Sequence, residues 1–136
     1  MSKNRNLPHY IDPVLFELMN EPKRKQMKIY LDDVRNAPEG WELARNAQEF
    51  EQLYEANKDH VTHISLDHDL GDNQKTGHDV VKYLMTKVVE EMRVTKKLLS
   101  NFPLISCHSA NPVGKKNIMH CIHDIEMIIT GDLEIG

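Results

Sequence analysis

Apolar positions recur along this chain in two periods, and each change of period marks an element. Near the start, Ile11, Val14, Leu15, Leu18 and Met19 fall at i, i+3, i+4, i+7 and i+8, one apolar face of a helix. Asp12-Pro13 begins that helix, with Asp as cap and Pro at the first helical position. The polar run Glu21-Pro22-Lys23-Arg24-Lys25 ends it, so residues 1–26 read as an N-terminal helical extension. Such a helix lies on its own domain or makes a dimer or partner contact. From Met27 short apolar runs alternate with amphipathic ones. Residues 28–31, 41–44, 61–66 and 103–107 read as strands. Residues 47–56 carry Phe50, Leu53 and Tyr54 on one helical face. Val80, Val81, Leu84, Met85, Val88, Val89 and Met92 make 78–92 the strongest helix. Asn111-Pro112 starts another, with Ile118, Ile122 and Ile125 on one face. The tail, 128–135, reads as a last strand or a hairpin turning at Gly131-Asp132.

Strands separated by amphipathic helices need crossovers, so residues 27–136 are expected to form one α/β domain with a mainly parallel sheet and flanking helices. In an open sheet of this kind ligands bind beyond the carboxyl ends of the strands. The length, 136 residues, suits one domain that needs no disulfide staples. No apolar run reaches the roughly 18 residues of a membrane helix, and no apolar stretch follows the basic residues at the start as in a secretion signal. The expectation is a cytoplasmic protein without membrane contact, with Cys107 and Cys121 as buried reduced thiols. Residues 1–28 hold six Lys/Arg against three acids, and the remainder eleven against eighteen. A mildly acidic body of this kind is not a general duplex-DNA-binding surface, but it suits carboxylates gathered around a cation.

Three of the strands finish in polar residues: Asp32-Asp33-Val34-Arg35, Asp67-His68-Asp69 and His108-Ser109-Ala110-Asn111. A parallel sheet lays these ends side by side. Crowded carboxylates cannot all stay ionised without a counter-ion, and oxygen ligands select Mg²⁺ or Mn²⁺. Asp32, Asp33 and Asp67 are therefore the candidate metal ligands. Taken singly, an Asp pair after a strand is more often a solvated turn; it is the recurrence at several strand ends that points to a metal. His68, Asp69 and His108 flank the same cleft and are candidates for acid–base work, although one such His alone is more often structural. His9, His60, His63, His78, His120 and His123 read as surface or packing residues.

The segment from His108 to Lys116 reads as an anion cradle. Asn111 caps a helix that Pro112 opens, and backbone N–H groups at Val113 and Gly114 point back at the strand ends with the positive end of the helix dipole. Ser109, Asn111, Gly114 and Lys115, with Arg35 as a clamp, are the candidate phosphate-binding residues.

An acid pair after the first strand, an Asp after a middle strand and a Ser-Ala after the next resemble the response-regulator receiver domain. The stretches LDDVRNAP (31–38), SLDHDLG (65–71), TGHDVVKYL (76–84) and HSANPVGKKNIM (108–119) are similar to a divergent branch, the cyclic-phosphate-processing receiver family of bacteria and phages. The resemblance implies a receiver-like (flavodoxin-like) fold. It matches Asp32 and Asp33 to the metal-holding acids, Asp67 to the phospho-acceptor and Ser109 to the hydroxyl residue. Two features depart from an ordinary receiver. Only seven residues separate Asp33 from Trp41, too few for a full first helix, and no Lys-Pro follows a fifth strand.

The function expected is a Mg²⁺- or Mn²⁺-dependent phosphoesterase acting on a cyclic phosphate, at an RNA 2′,3′-cyclic end or in a small cyclic nucleotide. The alternative is a non-catalytic receiver-like module that binds or sequesters a nucleotide or a partner protein, as a phage counter-defence factor would. A homodimer through the N-terminal helix is compatible with either.

Overall fold

The computed structural model describes residues 26–95 and 102–132. The element order is β1 (Met27–Leu31), β2 (Glu42–Ala44), α1 (Ala47–Asn57), β3 (Val61–Leu66), α2 (Gly77–Thr95), β4 (Leu104–Cys107) and α3 (Pro112–Thr130). The strands form one all-parallel sheet in the order β2-β1-β3-β4. This is the receiver-like arrangement expected, with no helix between β1 and β2 among the described residues. The expected N-terminal helix and residues 133–136 lie outside the described residues.

Each helix is started by its own sequence. Asn46 Oδ1 accepts from Glu49 N at 2.8 Å to cap α1. Thr76 and Asp79 cap α2 reciprocally: Thr76 N donates to Asp79 Oδ2 at 2.8 Å, and Asp79 N to Thr76 Oγ1 at 3.3 Å. Asn111 Oδ1 accepts from Gly114 N at 2.9 Å to cap α3. The end of α3 corrects the reading of the tail. Ile128 is buried in the helix's last turn, and Gly131 (φ 86°) closes it in the left-handed region, so no strand begins at 128. Glycine is the residue that tolerates this conformation.

Strand side chains alternate, and the register lines up Ile29 with Ile64, and Leu31 with Leu66 and Ala44. These five point to one face and meet Phe50, Val80, Val81, Leu84, Val88, Ile118 and Ile125 from the three helices. Full burial of each such side chain is worth about 1.5–3 kcal/mol. The core therefore lies between the helices and one side of the sheet. Cys121 is buried and Cys107 half-buried, both as free thiols, and burial pushes both thiols up in pKa. No helix among the described residues is long and apolar enough to cross a membrane.

Candidate functional site at the strand ends

The parallel ladder continues one residue past each strand, and that continuation builds the site. Asp32 N donates to Ala44 O (3.0 Å), Asp67 N to Leu31 O (3.0 Å) and His108 N to Leu66 O (3.0 Å). Each residue following a strand is thus pinned to the last residue of its neighbour. Asp32, Asp67 and His108 are brought to one place, with one donor atom from each within 4.8 Å of the others.

Asp32 is 1% exposed. Its Oδ1 accepts from Val34 N (2.9 Å) and Arg35 N (2.7 Å), which folds the turn after β1. Its Oδ2 lies 3.0 Å from His108 Nε2. Burial alone raises a carboxyl pKa, but the backbone donors of Arg35 and Val34 together with His108 outweigh it, and Asp32 is held below its ordinary value. Asp67 goes the other way. Burial raises its pKa, the charge of Asp32 adds to that, and the donors at His68 N (2.8 Å) and Ser109 offset only part. Two neighbouring carboxyls are pushed apart, as crowded like charges are.

His108 is fixed on three sides. Nδ1 shares a 2.7 Å hydrogen bond with Ser65 Oγ, Nε2 faces Asp32, and the ring lies flat on Tyr30 at 4.1 Å between centroids. Its carbonyl accepts from Arg35 Nη1 at 3.0 Å, so Arg35 bridges the ends of β1 and β4.

A second cluster sits beside the first. His68 Nδ1 is 2.9 Å from Asp69 Oδ1, and Asn111 Nδ2 donates to Asp69 Oδ2 at 3.1 Å. His68 and then Asn111 hold the exposed Asp69 carboxyl below its usual range. The His68 ring lies over the first turn of α3, where a Cβ on Gly114 would stand 2.3 Å from His68 Cγ. A Cβ on Gly77 would stand 1.8 Å from the Asp67 carbonyl oxygen, so α2 also needs glycine to approach β3. Both glycines serve close approach, and neither has positive φ.

Part of the expected anion cradle is engaged within the chain itself. Gly114 N donates to Asn111 Oδ1, Lys115 N to Asn111 O (2.8 Å), and Asn111 N to Ser109 Oγ (3.0 Å). The capping asparagine engages the Gly114 amide, one of the two backbone donors expected to face an anion. Ser109 and Asn111 build the turn, and Ser109 also reaches Asp67. Lys115 is exposed on the same helical turn. Asp33 is not a member of the 4.8 Å group of Asp32, Asp67 and His108; its Oδ2 approaches the loop after β3, 4.0 Å from where a Cβ on Gly71 would lie.

Three residues at the site were missed by sequence reasoning. Tyr30 and Ser65 are paired across β1 and β3, on the face opposite Ile29 and Ile64. Alternation within the two strands carried that signal, and a small residue at 65 leaves room for an imidazole to lean across β3. Arg45 donates from Nη1 to Arg35 O (2.8 Å) and Asp32 O (3.3 Å), tying the turn after β1 to β2. Nothing in the sequence marked it.

A surface hollow of about 440 Å³ lies at the other end of the sheet, bordered by Tyr54, Lys58, Lys87, Glu90, Phe102 and Pro103. Its lining also includes the acids Asp59 and Glu91 but no histidine, whereas the carboxyl ends of the strands group two acids with an imidazole.

The model of the cyclic-phosphate processing receiver domain matches residues 27–124, which includes all four strands and the three site loops. No curated protein and no solved structure matches the chain.

Proposed function

Because the chain belongs to the cyclic-phosphate-processing receiver family, we propose that it hydrolyses a cyclic phosphate with the help of a divalent cation, Mg²⁺ or Mn²⁺. The observation that carries this reading is the convergence of Asp32, Asp67 and His108. Two carboxylates suit such an ion, and Asp67, whose pKa is raised first by burial and then by the charge of Asp32, is a group that a nearby positive charge would favour. Asp32 and Asp67 would hold it, with Asp33 nearby. A cation bound there supplies Lewis-acid polarisation of the phosphoryl oxygens.

The chain's own residues do the remainder. His68, with Nδ1 held by Asp69, takes a proton from the attacking water. The water oxygen bonds to phosphorus, the cyclic P–O bond breaks, and His108 Nε2 gives its proton to the leaving oxygen. Tyr30 and Ser65 fix the ring for that transfer. Arg35 and Lys115 supply positive charge for the phosphate, and Ser109 a hydroxyl beside Asp67. The product is an acyclic monoester on an RNA end or a small nucleotide.

One observation favours a second reading, a binding module without turnover. The Gly114 and Lys115 amides are already satisfied by Asn111, so less of α3 is open to stabilise charge. One experiment tests both. The protein is incubated with Mg²⁺ or Mn²⁺ and a panel comprising a 2′,3′-cyclic RNA end, cyclic mono- and oligonucleotides and ADP-ribose 1″,2″-cyclic phosphate. A gain of one water by mass spectrometry on any member supports hydrolysis. Binding without conversion across the panel supports the module, and neither result on any member removes both.

A further inference from the structure

We propose that the sheet face turned away from the core binds a single-stranded oligonucleotide, with unpaired bases against the rings of Trp41 and His63 and phosphates near Lys28. The premise is how the strands alternate. Ile29, Leu31, Ala44, Ile64 and Leu66 enter the core with the three helices. By register, Lys28, Tyr30, His63, Ser65 and Ser106 point the opposite way, with Leu43 and Leu104 at the two edges. Strands of a parallel sheet that are buried on both sides read as near-continuous apolar runs. The middle of this face is polar and aromatic instead, which suits a ligand better than a packed helix.

The rings form one row. His108 lies on Tyr30, Tyr30 meets Trp41 edge-on at 6.0 Å, and Trp41 meets His63 at 6.2 Å between centroids. Tyr30 and His63 come from the two interior strands, β1 and β3. Aromatic side chains on a four-stranded sheet are a platform on which single-stranded bases stack, about two or three at a time. Tyr30, Trp41 and His63 are each half-buried, so each keeps an accessible part. Charge follows the same row. Lys28 Nζ stands 5.7 Å from the Trp41 ring centroid, and Arg35 bonds to the His108 carbonyl at the other end. No acid stands among the strand positions named on this face, although residues 29–136 hold eighteen acids against eleven Lys/Arg. Along the sequence, Lys23, Arg24, Lys25 and Lys28 fall between Glu21 and Asp32 with no acid among them. Positive charge confined to one region of an acidic body selects an anionic polymer, and rings between the cations select unpaired bases over a duplex. The row ends at His108. On the hydrolytic reading above, a strand lying along it presents its terminus to Asp32 and Asp67, but the binding itself does not depend on that reading.

The test titrates the full chain into short end-labelled oligoadenylates, one RNA and one DNA, read by fluorescence anisotropy. Both carry plain hydroxyl ends and no cyclic phosphate, so failure of the hydrolytic reading leaves this test untouched. At least one should bind, more weakly as salt rises, and the tighter of the two names the sugar. Trp41→Ala and His63→Ala should each weaken binding about five-fold or more, and Trp41→Phe, which keeps a ring, should restore most of the loss. Lys28→Gln should weaken binding and flatten its salt dependence, whereas Lys82→Gln, on the helical side, should change neither. Trp41 is the single tryptophan, and its emission should be quenched by the oligomer. Emission unchanged at saturating oligomer shows a face held by protein instead and overturns the proposal. So does the absence of binding to either single strand, equal binding of a duplex, or parent-like binding by both His63→Ala and Lys28→Gln. Should Trp41→Ala fail to fold, those last two variants carry the same decision.

Discussion

The imidazole of His108 lies flat on the ring of Tyr30, with centroids 4.1 Å apart and planes 7° from parallel. Tyr30 comes from β1 and His108 from the end of β4, so the contact crosses the whole of β3. It is possible because position 65 between them is a serine, whose hydroxyl also holds His108 Nδ1. The stack fixes the ring plane, and the serine fixes its rotation within that plane.

Replacing Tyr30 therefore loosens the histidine while leaving both carboxylates in place. Tyr30→Ala removes a ring contact worth about 0.5–1.5 kcal/mol. Turnover of a cyclic phosphate should fall about ten-fold, since a mispositioned acid loses part of its effect. Tyr30→Phe keeps the stack and should stay within about two-fold of the parent. Single-turnover rates of the two variants check this, and equal losses in both would remove the stack from the explanation.

The two carboxyls should answer in opposite senses when neutralised. Asp67 has a folded pKa raised above 3.8, first by burial and then by Asp32. Its ionised form therefore costs stability, and the cost sets in as pH rises from the unfolded value through the folded one. Asp32 has a lowered folded pKa, because Arg35 N, Val34 N and His108 outweigh burial. It contributes stability above pH about 3.8, lost as pH falls through its lower folded value. At neutral pH without added metal, Asp67→Asn should raise the melting temperature and Asp32→Asn should lower it. Millimolar Mg²⁺ or Mn²⁺ should raise the melting temperature of the parent and of neither variant. A parent-like metal response in both variants would exclude these residues as ligands.

The glycine contacts make a sharper structural test. Alanine is the better helix former by about 1 kcal/mol, so propensity alone favours Gly114→Ala. The 2.3 Å approach to His68 Cγ opposes it, and a half-buried ring braced by Asp69 cannot swing away freely. Gly114→Ala should destabilise by about 1–3 kcal/mol, the usual cost of overpacking. Combining it with His68→Ala removes the clashing ring, so the pair should be markedly less destabilised than the sum of the singles. Additive losses in chemical denaturation would show that the ring and the helix do not meet.

The site was legible in the sequence to the extent that it depends on backbone order. Alternating periods placed the strands, and a parallel sheet then had to bring Asp32, Asp67 and His108 together. What escaped were side-chain choices with several equivalent answers. The amide at Gly114 could serve a phosphate or its own cap, and spacing does not distinguish the two; Asn111 takes it. Asp69 read as a catalytic candidate, yet it also clasps Asn111 to the β3 loop. Arg45 acts through two carbonyls, which leave no mark on composition or period. The tail misled because Ile128 and Ile129 suit strand and helix alike, and only the three-dimensional burial of Ile128 on α3 decides.

The role of His108 is the remaining question that one variant can answer. Its Nε2 stands 3.0 Å from Asp32 Oδ2, which places it within reach of a cation as well as of a leaving group. As proton donor, it is needed for the chemical step and hardly at all for metal binding. His108→Ala should then cut single turnover by about 10²–10⁴-fold, the usual worth of positioned acid–base catalysis. Mn²⁺ affinity should stay within about three-fold, because Asp32 and Asp67 still supply the charge. A ligand role predicts a different pair of numbers, with affinity falling about ten-fold or more and the rate recovering as Mn²⁺ is raised. Stability needs its own measurement, since the variant also loses the Tyr30 stack and the Ser65 hydrogen bond. Ser65→Ala provides that control, for it unties the ring without removing it. If Ser65→Ala matches His108→Ala in melting temperature yet loses only about ten-fold in rate, as an unbraced ring should, the further loss belongs to the imidazole itself. If the two variants lose rate equally, His108 serves the fold of the site and the proton comes from elsewhere.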